Sequence, residues 1–597
     1  MKKLLNRNEV PVEQTWDLTR IFKTEKEYEE ALNQLKALAD DIATYKGHIN
    51  SADKIIEVLG KVEDYLITND LCAHYASLDN STDYTDEFKK NRMMKYLQIN
   101  NQNEEKISFY NKEIADNSVE VLDEAIGKSD KYKKKIEDIK REKPHMLDEK
   151  TQEVVDKLMY VLDAPYRTYE TAKLSDMHFD KFKANGKELE NSFVLFENHY
   201  QYQVDTEERR NAFKSFSESL SHYKDSFAAY YDTYLQTEKR ISELKGFKTL
   251  RDYHLFIQNV DPELYNRQLD VIMEYLAPHM RKYAGILKKL YNLDEVRFSD
   301  MKLPIHLTQP ENYEFEEAKP YVKKALSVLG DEYAEVAMSA FKNRWVDYSV
   351  NKGKSTGGFC ASPWQKDGFI LMSWTGALDD MFTLVHEIGH GVHFHYAQNY
   401  NSYFTQEPSL YFIEAPSTMN EVLLSKSLLE FEEDKLKRAQ IQASMVSNTY
   451  YHNFVTHFLE AYYQREVYNL VEENVPITSQ VLSQVFKETL EKFFGDSVVL
   501  DEGAELTWMR QPHYYMGLYS YTYSAGLTVG TLMANRIYED KEAYKDWIEV
   551  LKSGGQKDVI ELAKTAGIDI TTDGPLKQCI EYVGEMISNI ESAVLDK

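Results

Sequence analysis

Cysteine is scarce in this chain of 597 residues: Cys72, Cys360 and Cys579 are odd in number and far apart. No disulfide framework and no thiolate metal site can be built from them. There is also no uncharged apolar run of about 18 residues, so no membrane span is expected. The start, MKKLLNRNEVPVEQ, is basic but lacks the apolar stretch of a secretory signal. Positive charge is short too: 71 Lys and Arg stand against 98 Asp and Glu, a formal net charge of -27. Such a surface repels nucleic acid and anionic membranes, which removes both as main partners and favours solubility. The expectation is a cytoplasmic protein.

Proline is almost missing between Thr24 and about Arg240, where long apolar-periodic, charge-rich segments follow one another. In TEKEYEEALNQLKALADDIATYKGH, Tyr28, Leu32, Leu35 and Leu38 recur at three or four residues and predict one apolar helical stripe. The next segment offers Ser51 and Asp53 as caps. KYKKKIEDIKREK reads as a solvated helix face. From about Tyr291 to Trp374 proline, glycine and short extended runs appear; FILMSW (Phe369 to Trp374) predicts a strand in a small sheet beside the helix that follows. Helical patterning then returns from Asp380 to the end. The fold class expected is mainly α, and the length calls for several helical layers. Tyrosine is abundant, with 43 residues, and suits the walls of a wet groove as well as a core.

The chemistry concentrates in FTLVHEIGHGVHFHYA (Phe382 to Ala397), which holds four of the sixteen histidines. On a helix, His386 and His390 lie one turn apart on one face, where both imidazoles reach one ion. Glu387 stands beside them, placed to take a proton from a water that zinc activates. Gly389 implies a close approach, at a helix-propensity cost of about 1 kcal/mol. His393 shares the face, but helical rise sets its Cα about 10 Å from that of His386, too far for one tetrahedral ion. It reads as a groove residue or as support for the ligands, and His395 as structural. A catalytic zinc needs a third protein ligand and an open position. Glu407, Glu414 and Glu421 follow at seven-residue spacing. One suits ligation and another suits orienting a ligating histidine, and spacing leaves all three open. Pro416 marks the start of a helix through this segment or a kink in it.

Five segments together resemble the M3 metallopeptidases, in the oligoendopeptidase F branch related to thimet oligopeptidase: TWDLTRIF, GGFCASPWQKDGFILMSWTG, HEIGHGVHFHYA, YFIEAPSTMNEVLL and RQPHYYMGLYSYTYSAG. They span nearly the whole chain in order. The resemblance implies a helical amino-terminal domain over 1–200 and a catalytic domain over 201–597. It implies a two-lobed helical zincin fold with a small sheet beside the active-site helix, enclosing a deep substrate channel. It also implies one Zn2+ per chain on His386, His390 and Glu414, with Glu387 as general base and Glu421 as a supporting partner. His513 is the firmest match for a substrate-binding histidine, and Tyr514, Tyr519 and Tyr521 compete as the oxyanion-stabilising phenol. Phe369 to Trp374 resembles the family's substrate-facing edge strand, where a peptide adds by main-chain hydrogen bonds.

The function so implied is a zinc endopeptidase acting on internal bonds of short peptides. A zinc carboxypeptidase or dipeptidyl carboxypeptidase is the alternative, and would need a cationic pocket for a terminal carboxylate. A non-enzymatic peptide-binding protein would leave the HExxH segment and Glu414 without a use.

Overall fold

Capping chemistry sets where the first long helices begin. In the computed structural model, which describes residues 5–309, 311–355 and 357–595, the Thr24 side chain accepts from the Glu27 amide and opens α1 (Glu25–Ala43). Ser51 accepts from the Lys54 amide and opens α2 (Ala52–Thr82). Asp53 falls inside the first turn, where its charge favours the helix dipole. The buried stripe of α1 is Tyr28, Leu32, Leu35, Ala39 and Ile42, with Leu38 only partly buried. Steps of four, three, four and three keep a face in line with the 3.6-residue turn, so the stripe continues through Ala39. In the lysine-rich helix Lys133–Glu142 only Ile136 and Ile139 are buried, as a solvated face requires. These helices build an amino-terminal core from Trp16 to Ile139, and a larger core runs from Tyr169 to Ala593.

Two small sheets accompany the helices among the described residues. The first is a hairpin of β1 (Phe182–Ala184) and β2 (Lys187–Leu189), turned by Asn185 and Gly186 at φ 53° and 73°. Two consecutive positive φ values are what a type I′ turn demands, and Asn-Gly supplies them at least strain. The second sheet comprises β3 (Val346–Asp347), β4 (Phe359–Ala361) and β5 (Phe369–Leu371), in the order β3-β5-β4. Here the expected edge strand is the central one. The amides of Ile370, Met372 and Trp374 donate to the carbonyls of Trp345, Asp347 and Tyr348 at 2.8, 3.0 and 2.9 Å. The other side of β5 pairs with β4, so β3 and β4 are the outer strands and β4 is the one that presents an open edge to a cavity. The six-residue run is apolar on both faces because both are covered. Phe369 and Leu371 enter the amino-terminal core, while Ile370 and Met372 enter the larger one.

Three buried helices follow: α3 (Leu378–Tyr400), α4 (Ala415–Phe431) and, beyond α5 (His457–Glu472), α6 (Tyr521–Glu539). Pro416 stands in the first turn of α4, where its missing N–H costs nothing, so it starts the helix and does not kink it. Gly389 lets α3 touch α4: a Cβ there would lie 2.7 Å from the Pro416 carbonyl oxygen and 2.7 Å from the Ser417 Cα. Gly526 and Gly530 let α6 approach the other side of α4, against Glu414, Ala415 and Thr418. Asn420 then ties the pair, donating to the Val385 carbonyl of α3 at 3.0 Å and accepting from the Tyr333 hydroxyl at 3.0 Å.

Because the obstructing atoms at Gly389 are backbone, Gly389→Ala cannot be absorbed by a rotamer change. The variant is expected to lose about 1–3 kcal/mol of stability and to bind metal more weakly. Thermal unfolding and a metal titration check both.

Candidate active site

The site is assembled on the seam between α3 and α4. His386 and His390 project from successive turns of α3, with ring centroids 5.1 Å apart. Glu414, at the start of α4, meets both: its Oε2 lies 3.4 Å from His386 Nε2 and 3.3 Å from His390 Nε2. A tetrahedral ion with bonds of about 2.1 Å has ligand–ligand edges of about 3.4 Å. The spacing therefore fits a small divalent cation, and two imidazoles with one carboxylate form a donor set suited to zinc. Ser417 Oγ donates to the same Glu414 oxygen at 2.9 Å and fixes the carboxylate.

Glu421 is one of the expected alternatives, and the structure places it behind the cluster. Its Oε1 is 2.7 Å from His386 Nδ1, and its other oxygen accepts from the Thr449 hydroxyl. A carboxylate on Nδ1 holds the proton there and turns Nε2 towards the ion. Burial alone would depress the His386 pKa, but Glu414 and Glu421 outweigh it and raise it well above the usual value. Burial would raise Glu414, yet His390 and His386 hold it well below the carboxylate range. Metal-free, the cluster draws protons onto its imidazoles, and a cation would replace them. Glu407 lines the same cavity, but stands apart from the three ligand atoms.

Glu387 faces the cavity of ≈ 840 Å³ that holds the triad, 6% exposed. Burial raises its pKa, His386 and His390 pull it down, and Glu414 and Glu421 push it up, for a net rise. A raised carboxylate beside a metal position is a fitting proton acceptor near neutral pH. The open edge of the sheet borders the same space, through Gly358, Phe359 and Cys360.

His393 is a correction to the groove expectation. It is 2% exposed, its Nδ1 is buried without a partner, and burial pushes its pKa down to about 3. From this helix the cavity takes Thr383, His386, Glu387, His390 and Phe394, and His393 lies to one side of that row, outside the lining. His395 reaches instead to Asp367, at 3.1 Å.

The carboxy-terminal candidates separate clearly. Tyr519 lines the metal cavity, and so does Tyr523, which the sequence reading did not single out. Tyr514 and Tyr521 are corrections: both are 1% exposed and lie outside the cavity. The Tyr514 hydroxyl is buried without a partner, while that of Tyr521 donates to Gln258 Oε1 at 2.5 Å. His513 lines an adjoining cavity of ≈ 430 Å³ and stacks on Tyr519. Its Nδ1 lies 3.3 Å from Glu460 Oε2, which is also 2.8 Å from His457 Nδ1. This second His-Glu-His group also escaped the sequence reading. So did the π-helical stretch Val446–Thr456, which sends Asn448, Thr449 and His452 to the cavity. Its i→i+5 bonds turn side chains off the α-helical face that periodicity follows.

Removing the Glu421 carboxylate leaves the ligands but frees the His386 ring. Glu421→Ala is expected to weaken metal binding about 10- to 100-fold. His390→Ala is expected to abolish tight binding, and His393→Ala to retain it. A competition titration with a chromogenic chelator measures all three.

Comparison with known proteins agrees with this geometry. The model of peptidase family M3 matches residues 199–582, and the model described as oligopeptidase F matches 113–179. Oligopeptidase PepF of Bacillus subtilis (strain 168) is 28% identical over 99% of this chain and 89% of its own length. The oligoendopeptidase F homolog of Lactococcus lactis subsp. lactis (strain IL1403) is 25% identical, over 99% and 98%. In fold, a crystal structure from Chlamydophila abortus matches at TM-score 0.87 and 21% identity, over 99% of this chain and 100% of that one. The crystal structure of oligoendopeptidase-F from Enterococcus faecium matches at TM-score 0.75 and 20% identity, over 96% and 100%. With the family model covering most of the chain and a paired-histidine and glutamate cluster at its centre, the chain belongs to peptidase family M3, in its oligoendopeptidase F branch.

Proposed function

We propose that this protein is a zinc endopeptidase that hydrolyses internal bonds of short peptides, with one zinc ion per chain held by His386, His390 and Glu414. The observation that carries this reading is the convergence of two imidazole Nε2 atoms on one Glu414 oxygen, at 3.3 and 3.4 Å, beside a buried Glu387. The bound ion supplies Lewis acidity to a water and to the scissile carbonyl. The chain's own residues do the rest. The open edge of β4 receives the peptide backbone by main-chain hydrogen bonds, which ask little of its side chains. Glu387 accepts the proton of the attacking water and delivers it to the departing amine nitrogen. A phenol of Tyr519 or Tyr523 donates to the oxygen as negative charge grows there. Burial raises both phenols above their ordinary value, so they remain protonated donors. His513, stacked on Tyr519 and anchored by Glu460, holds that wall in place.

All lining residues of the metal cavity lie at Tyr202 or beyond, in keeping with a catalytic unit over 201–597 and a helical amino-terminal unit over 1–200. The cavity shares Tyr202, Lys302, His452 and Tyr523 with the adjoining one, which supports a continuous channel between two helical lobes. A channel of that kind admits short flexible peptides and excludes folded proteins. A cytoplasmic setting belongs to the same reading, alongside three unpaired cysteines. Among the described residues no helix is long and apolar enough to cross a membrane.

Glu387→Gln is expected to keep one zinc per chain and its melting temperature while kcat falls about a hundred- to ten-thousand-fold. Turnover near the parent rate would sink the general-base assignment. Mass spectrometry of products from a peptide set separates internal cleavage from removal of carboxy-terminal residues. Among the tyrosines, Phe substitution at 519 or 523 is expected to lower kcat by about a hundredfold. Substitution at Tyr514 or Tyr521 is expected to alter stability and leave kcat within about twofold.

A further inference from the structure

Lys302 is a cation that the hydrolytic reading leaves unused. It lies just beyond the short turn Phe298–Asp300 and lines three cavities: the metal cavity, the one beside His513, and a third of ≈ 770 Å³. Tyr202 is shared by all three as well, so this pair marks their junction. The Lys302 Nζ donates to Thr456 Oγ1 at 3.1 Å and stands 4.4 Å from the centre of the Tyr451 ring. Among the described residues no carboxylate comes within 4.0 Å of it.

The charges around it have partners of their own, with only Glu460 Oε1 among their carboxylate oxygens buried without one. Arg510 pairs with Glu197 at 2.9 Å. Glu460 is shared by His457, His513 and the Ser520 hydroxyl, at 2.8, 3.3 and 3.0 Å. Burial pushes Lys302 down to about 8, Arg510 adds to the fall, and Glu460 and Glu197 oppose it. A half-buried ammonium with one hydroxyl and one aromatic face, but no counter-ion, is incompletely compensated. An anion arriving with the substrate would complete its shell, and the anions a peptide carries are carboxylates.

We propose that Lys302 is a specificity residue that receives a carboxylate of the bound peptide at the junction of the metal cavity with its neighbours. The carboxylate is the C-terminal one or that of an Asp or Glu side chain, and the chemistry of capture is the same. This rests on the peptidase reading of the site. If the C-terminal carboxylate is the one held, the scissile bond falls at a set distance from the peptide's end.

The test uses two matched peptide pairs, one with a free or amidated C terminus and one with an internal Glu or Gln. Each pair is assayed with the parent enzyme, Lys302→Met and Lys302→Arg, all checked for an unchanged melting temperature. The parent is expected to favour the acid member of one pair by about tenfold or more in kcat/KM. Lys302→Met brings that ratio to near one, and Lys302→Arg restores it. The pair that responds identifies the source of the carboxylate. Equal handling of both members in both pairs, or a preference that survives Lys302→Met, overturns the proposal. Calorimetric binding of the same peptides to zinc-loaded Glu387→Gln, with and without Lys302→Met, reads the preference without turnover. Acid-selective, Lys302-dependent binding of peptides that the parent never cleaves would uphold this proposal and refute the peptidase reading instead.

Discussion

The contact on which this molecule depends is the touch of one helix backbone on another at Gly389. Two of the candidate ligands stand on α3 and the third opens α4, so their spacing is set by the separation of two helix axes. A side chain at 389 would meet the Pro416 carbonyl and the Ser417 Cα, which are backbone atoms with no rotamer to yield. The segment Glu-Ala-Pro-Ser then acquires a mechanical meaning. Glu414 is the acid, Pro416 begins the helix directly after it, and Ser417 is small enough for the contact and bonds the acid's oxygen. Asn420 grips the α3 backbone one turn on, and Glu421 holds the His386 ring. Sites carried by packed helices hold their geometry more closely than sites on loops.

Electrostatics explains why such a seam asks for a cation. Three carboxylates, Glu387, Glu414 and Glu421, surround two imidazoles in a mostly buried space. Protein groups alone balance this by protonating His386 and ionising Glu414, the directions in which both are shifted. Cation binding displaces protons from the imidazoles, so affinity falls as the medium becomes more acidic. Glu387 is shifted the opposite way from Glu414, upward from its ordinary value. One carboxylate is thus held as a permanent anion and another is poised to exchange a proton. Adjacent acids are given separate tasks by their surroundings.

What was legible in the sequence follows the range of each interaction. The pairing of His386 with His390 is a property of one helix turn, so spacing alone reveals it. The third ligand depends on how a second helix docks, which spacing cannot rank; Glu407, Glu414 and Glu421 stayed equal until motif resemblance chose among them. Phe369 to Trp374 declared a strand through its composition, but its central place rests on pairing with residues 345–348 and 359–361. His393 shares the helical face of His386 by spacing, yet it is buried outside the cavity, whose lining continues to Phe394. Tyr523 hid in a run of tyrosines where only the packing of α6 decides which phenols meet solvent. The Asn185-Gly186 hairpin was within reach, since that dipeptide between short extended runs is a strong turn signal.

Lys302 joins the cavity chemistry to the charge of the whole chain. A net charge of -27 gives an acidic peptide no long-range attraction. Preference for a carboxylate therefore has to arise after entry, where walls exclude water and an ammonium acts at short range. Solvent screening within about 8–10 Å governs the outer field but acts far less on a partly buried contact. Selection of this kind is carried by the stability of the bound peptide and little by its rate of encounter. The cavity then divides its labour by charge. Acids gathered on α3 and α4 hold the metal position, and a separate cation stands where an acidic group of the substrate can be received. A peptide bound by both is fixed at two points, and the bond presented to Glu387 is determined by the length of chain between them.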